Sequence, residues 1–165
     1  MAGFFSRLFG TDKLERAAEA GSKLPTSIGA GSEMGVDAAT ASAILAELDI
    51  DTAISAHENW KLRLQNYLDG RSQEDLRPEV ICLDDRCDLG KWLHGPGRER
   101  LGKYPAFTVL VARHKYFHIQ ASSVVALAQT GEREKAQSLI DGAYRHASNQ
   151  VVLLLKELKR GLGAR

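Results

Sequence analysis

The chain has 165 residues, of which 44% are hydrophobic and 26% charged, with a formal net charge of +1. These values describe an ordinary globular composition and exclude wholesale disorder; with no long basic run, nucleic acid is not an implied partner. Two cysteines, Cys82 and Cys87, are too few for a secreted disulfide scaffold, and the longest apolar run, Val151–Leu155, falls far short of the ~20 residues that span a bilayer.

The N-terminal stretch MAGFFSRLFGTDK lacks the basic flank, long apolar core and cleavage site of a signal peptide, which makes the cytoplasm the default compartment. Glycine stands at position 3 rather than 2, so N-myristoylation is not indicated. Residues 1–20 place Phe4, Phe5, Leu8 and Phe9 on one side of a short helix. Residues 21–37, GSKLPTSIGAGSEMGVD, have the composition of a flexible linker. The reading is therefore an extension over 1–37 and a helical domain over 38–165. The FFSRLF segment is a candidate for docking in a partner's groove or on a membrane surface. A frayed terminus or an extra helix at a dimer interface is the other reading.

Apolar residues at steps of three and four predict a first long helix over about 38–69, with Ile50, Ile54, His57, Lys61, Leu64 and Leu68 on one face and Gly70 as its stop. A polar connection, RSQEDLRPE, follows. A short helix over about 85–94, capped by Asp84 or Asp85, should end at Gly95–Pro96. A third helix begins near Pro105, turns Phe107, Leu110, Val111, His114, His118, Ala121, Val125 and Ala128 inward, and stops at Gly131. The last runs over about 132–159 with Leu139, Ile140, Ala143, Ala147, Val151, Leu154 and Leu158 on one side. No segment alternates with period two, so no sheet is expected. The predicted fold is all-α: an antiparallel four-helix bundle with an additional short helix carrying Cys87.

Chemistry concentrates on the buried stripes. His114 and His118 stand one turn apart on one face, His57 lies on the inward stripe of the first helix, and Cys87 opens the short helix. Three imidazoles and a thiolate form a tetrahedral donor set suited to zinc. Each residue also has an ordinary reading: a satisfied core histidine, or a buried thiol behaving as a small hydrophobe. His94 lies seven residues beyond Cys87, about 10 Å along a helix, and is not counted as a ligand; neither is His146. Cys82 is either a thiol able to resolve an oxidised Cys87 or a passive buried one.

The chain resembles the chemoreceptor zinc-binding domain family of bacterial signalling proteins. The resemblance rests on His57-Glu-Asn-Trp60-Lys61, then Cys87-Asp-Leu89-Gly90-Lys-Trp92-Leu93, then His114-Lys-Tyr-Phe117-His118. It covers roughly 45–158 and leaves 1–37 unexplained. It implies zinc held by His57, Cys87, His114 and His118. Among the neighbours, Gly90 would permit a close backbone approach. Phe117 is a further candidate for the surroundings of the site, and Trp60 and Trp92 either shield it or pack the core. Lys61 and Lys91, with the positive end of the short helix, would lower the Cys87 pKa unless those lysines are merely solvated.

Four protein ligands leave zinc no open position, and no HExxH, phosphate loop or GxSxG elbow is present, so a non-enzyme is expected. A di-iron bundle would need further histidines and bridging carboxylates at helical spacing. The resemblance implies a homodimeric sensory module of the chemotaxis or cyclic-di-GMP type, responding to zinc availability or to Cys87 oxidation. The sequence holds neither a receptor coiled coil nor a cyclase domain, so the expected action is in trans on a chemoreceptor or diguanylate cyclase. The alternative is a zinc-stabilised dimerisation scaffold without a sensing role.

Overall fold

The computed structural model describes residues 36–163, and all regular structure among them is helical. The candidate docking residues Phe4, Phe5, Leu8 and Phe9 lie outside these residues. Helix α1 (Ala38–Glu47) starts at Asp37, whose carboxylate accepts the Thr40 amide at 2.9 Å and the Thr40 hydroxyl at 2.8 Å. The same Asp-x-x-Thr arrangement recurs at once: Asp49 accepts the Thr52 amide at 2.9 Å and its hydroxyl at 2.8 Å, and starts α2 (Ile50–Leu68). The single helix expected over 38–69 is thus two. Leu48 is extended (φ −126°, ψ 115°), and the Asp49 cap satisfies amide donors that a continuing helix would have bonded internally.

Between α2 and the next long helix lie α3 (Pro78–Ile81), α4 (Asp88–His94) and α5 (Pro96–Leu101). The expected Asp84 or Asp85 cap is corrected: α4 begins at Asp88, and Cys87 is its N-cap. Gly95 ends α4 as expected, as its C-cap, and a further short helix starts at once. Gly95 separates α4 from α5, and Pro96 occupies the first position of α5, where its missing N–H and fixed φ are tolerated. Arg100 of α5 pairs with Glu47 of α1, its Nε 3.0 Å from the carboxylate, which fastens α1 to this region.

Helix α6 (Pro105–Gln129) starts and stops where expected, with Gly131 at φ 77° beyond its end. Its burial departs from the one-stripe expectation. Arg113, His114 and the run Tyr116–Ser122 are all buried, because α2, α3 and the C-terminal helices surround it; a helix packed on several sides loses its polar face. The final rod is α7 (Arg133–Leu139), a π-helical turn over Ile140–Tyr144, and α8 (Arg145–Gly161). The extra residue of the wide turn goes with a changed register: Ile140 and Tyr144 are buried, whereas Ala143, expected inward, is only half-buried. Lys61, expected on the inward stripe of α2, is exposed.

Cross-helix bonds give the directions of the rods. Arg133 reaches Asp69 at 2.6 Å, Gln137 meets Gln65 at 2.9 Å, and Lys159 meets Asp51 at 2.9 Å, so α7–α8 runs antiparallel to α2. Helix α6 runs parallel to α2: His57 lies against Phe117, and ten residues further along α2 Tyr67 bonds Gln129 at 3.1 Å. The purely antiparallel arrangement is therefore not what forms. The connection through α3–α5 is long enough to carry the chain back to the end from which α2 started. Among the described residues no helix is long and apolar enough to cross a membrane.

Candidate metal centre

The parallel run of α2 beside α6 brings His57 level with His114 and His118. The ring centroids of His57 and His114 are 5.3 Å apart, and those of His114 and His118 4.6 Å. The loop before α4 then delivers Cys87 onto the histidine pair: Sγ lies 3.3 Å from His114 Nε2 and 3.6 Å from His118 Nε2, and the two Nε2 atoms are 3.2 Å apart. One ligand atom from each of the four residues falls within 4.8 Å of all the others.

These spacings can be compared with what zinc requires. Bonds of about 2.0–2.1 Å to nitrogen and 2.3 Å to sulfur, set tetrahedrally, give edges of about 3.4 Å between nitrogens and 3.6 Å between nitrogen and sulfur. The three edges among Cys87, His114 and His118 differ from those values by no more than a few tenths of an ångström, and the His57 ligand atom lies within 4.8 Å of the other three.

Two of the imidazoles have their outer nitrogens held by backbone carbonyls. His57 Nδ1 lies 2.7 Å from the Ala53 carbonyl and His118 Nδ1 lies 2.7 Å from the Ile81 carbonyl. A carbonyl can only accept, so each Nδ1 donates its proton and each Nε2 keeps its lone pair free. Burial lowers the pKa of all three rings, that of His114 to about 4, so they stand neutral and able to ligate near pH 7. His57, His114 and His118 are 4%, 0% and 4% exposed, whereas Cys87 is half-buried.

The sulfur's setting agrees with the reading of Lys61 and Lys91 as solvated lysines. Burial raises the thiol pKa, the Gly90 amide opposes this, and Asp88 adds to it. Lys91 is exposed and turned to Asp88 at 3.4 Å, and Lys61 is exposed; neither lysine is among the groups that shift the thiol. The helix start acts in the expected direction but from a different position: Sγ is itself the capping acceptor, taking the Gly90 N–H at 3.2 Å, a contact that lowers the thiol pKa.

Gly90 is required by a close approach. A Cβ there would stand 1.8 Å from the Asp84 carbonyl oxygen and 2.8 Å from its carbon. Only a residue without a side chain lets the loop fold tightly over α4. Phe117, fully buried, lies 5.0 Å from the His57 ring, 5.4 Å from that of His118 and 5.6 Å from Tyr144 of the π turn. The tryptophans are engaged elsewhere. Trp92 packs against Phe107 at 6.1 Å and closely over Gly97, and Trp60 is half-buried beneath the Arg63 guanidinium, 4.0 Å away. Cys82 donates weakly to the Glu79 carbonyl at 3.5 Å.

Asp84, expected from the sequence only as a helix cap, stands beside the histidines. Its carboxylate lies 2.8 Å from His94 Nε2 and 3.9 Å from His114 Nδ1. Burial alone would raise this carboxyl, but the His114 and His94 imidazoles outweigh it and hold the group well below the usual carboxylate range. The sequence offered no periodic signal for it, since Asp84 and His94 sit in a loop and on the exposed side of a short helix.

Residues 57–125 match the family model of the chemoreceptor zinc-binding domain. Comparison with curated proteins and with solved structures gives no match. The matched segment begins at His57 and contains Cys87, His114 and His118, so all four converging side chains fall inside it. Over residues 57–125 the chain is similar to the chemoreceptor zinc-binding domain family.

Proposed function

We propose that His57, Cys87, His114 and His118 together hold one zinc ion, and that the domain is a sensory or regulatory module of bacterial signal transduction. The observation that carries this reading is the convergence of four donors within 4.8 Å, three on long helices and one on the loop before α4, with the edges among Cys87, His114 and His118 close to tetrahedral values. Bound zinc is a Lewis acid without redox chemistry of its own, and four protein ligands leave it no position for water or substrate. That favours regulation over catalysis. Counting α1 with the three long rods, we describe the architecture as a four-helix bundle.

The chain's own residues suit a switch. His57 ties α2 to the centre, His114 and His118 tie α6, and Cys87 ties the α3–α4 loop. The histidines are closed off from solvent, whereas Cys87 is only partly buried and is the most accessible of the four residues. Two inputs fit: free zinc, because occupancy follows its concentration, and a peroxide-class oxidant, which converts a thiolate to a sulfenate that ligates more weakly. The partner is a signalling protein of the chemoreceptor or diguanylate cyclase class, and the working unit a homodimer.

Metal analysis of the anaerobically purified full chain tests the reading. About one zinc per chain is expected, falling close to zero in His114→Ala. A wild-type protein that takes up no zinc, or a variant that retains it fully, overturns the assignment. A zinc-stabilised scaffold without sensing would instead keep its zinc and helix arrangement unchanged after stoichiometric peroxide.

A further inference from the structure

The three imidazoles differ in how their outer nitrogens are held. His57 and His118 each place Nδ1 on a backbone carbonyl at 2.7 Å. His114, the most deeply buried of the three, has no hydrogen-bond partner at Nδ1 within the described structure. The group facing that nitrogen is the Asp84 carboxylate, with Oδ2 at 3.9 Å. This exceeds hydrogen-bond length, and closing it takes a shift of about 1 Å.

Asp84 is well placed to serve this nitrogen. Its side chain is 15% exposed, His94 holds the same Oδ2 at 2.8 Å, and its backbone is wedged against Gly90. A surface ion pair between Asp84 and His94 would need neither this depth nor this direction.

We infer that Asp84 is the positioning residue of His114: its carboxylate, steadied by His94, accepts the Nδ1 proton of this buried imidazole and so aims Nε2 at the metal. The inference rests on the zinc reading above. A carboxylate behind a ligating imidazole fixes the ring's tautomer and orientation and makes it a stronger donor to the metal. His94, passed over as a ligand, thereby acquires a role one step further out.

The test uses the full chain, with zinc affinity measured by competition against a chromophoric chelator. Asp84→Ala should weaken zinc binding about 10- to 100-fold. Asp84→Asn, which keeps an accepting oxygen without the charge, should lose less. His94→Ala should lose less than Asp84→Ala and add nothing when combined with it. In zinc-loaded, 15N-labelled protein the His114 Nδ1 proton should give a slowly exchanging, downfield resonance that is displaced in Asp84→Ala, while those of His57 and His118 stay in place. Wild-type affinity in Asp84→Ala overturns the inference and leaves the zinc reading intact. Weakened affinity with an undisturbed His114 resonance also overturns it, since Asp84 would then act only on the fold. A wild-type protein that binds no zinc overturns both.

Discussion

The Asp84 carbonyl oxygen occupies the space that a β-carbon on Gly90 would need, 1.8 Å from its ideal position. The contact holds the loop from Asp84 to Cys87 over the start of α4, and with it the sulfur over the two imidazoles of α6. Gly90→Ala must therefore push the loop outward rather than be absorbed locally. The expected cost is about 1–3 kcal/mol of stability, with weaker zinc binding because Cys87 moves with the loop. Chemical denaturation and chelator competition on the same variant check the two effects.

Cys87 and Cys82 should separate cleanly. Cys87 Sγ meets two imidazole nitrogens, whereas Cys82 meets only the Glu79 carbonyl. Cys87→Ser should release most of the zinc, since a hydroxyl is a far poorer zinc ligand than a thiolate. Cys82→Ser should leave stoichiometry and affinity at the wild-type level. Zinc content after dialysis against a weak chelator distinguishes them, and loss of zinc from the Cys82 variant would contradict this assignment.

Acid should weaken the zinc-free protein through its buried histidines. The pKa values of His57, His114 and His118 lie below the ordinary 6.5 in the folded state, that of His114 at about 4. An unfolded chain binds these protons more readily, so stability is present above about pH 6.5 and declines as the pH falls through the folded values. The urea midpoint of the chelated protein should drop steadily from pH 7 toward pH 4. A midpoint that stays flat over that interval would show that these rings are not buried as neutral bases.

The Phe117 ring fills the space between His57, His118 and Tyr144. Truncation to alanine should cost about 3–5 kcal/mol by loss of burial and a residual cavity. Because zinc bound only by the folded state adds stability, the zinc-loaded variant should melt well above the zinc-free one. Thermal unfolding with and without chelator measures that difference.

Asp49→Ala removes an N-cap that receives both the Thr52 amide and its hydroxyl. A loss of about 1 kcal/mol is expected, with zinc stoichiometry unchanged because His57 lies two turns further along α2. Equilibrium denaturation and metal content report the two quantities separately.

Periodicity alone located the long helices, their glycine stops and the inward faces bearing His57, His114 and His118, because a helix repeats every 3.6 residues whatever lies around it. The break between α1 and α2 was also written in the chain, as a second Asp-x-x-Thr, but local capping there competed with an uninterrupted apolar rhythm that reads as one helix. Other features had no local trace. The direction of α6 relative to α2, the inward turn of Tyr144 at the π segment and the approach of Asp84 to His114 all depend on which surfaces meet, and that is decided by packing between residues distant in the chain. Spacing could name four donors; only the tertiary arrangement sets their ligand atoms a few ångströms apart, and only it reveals the carboxylate behind one of them.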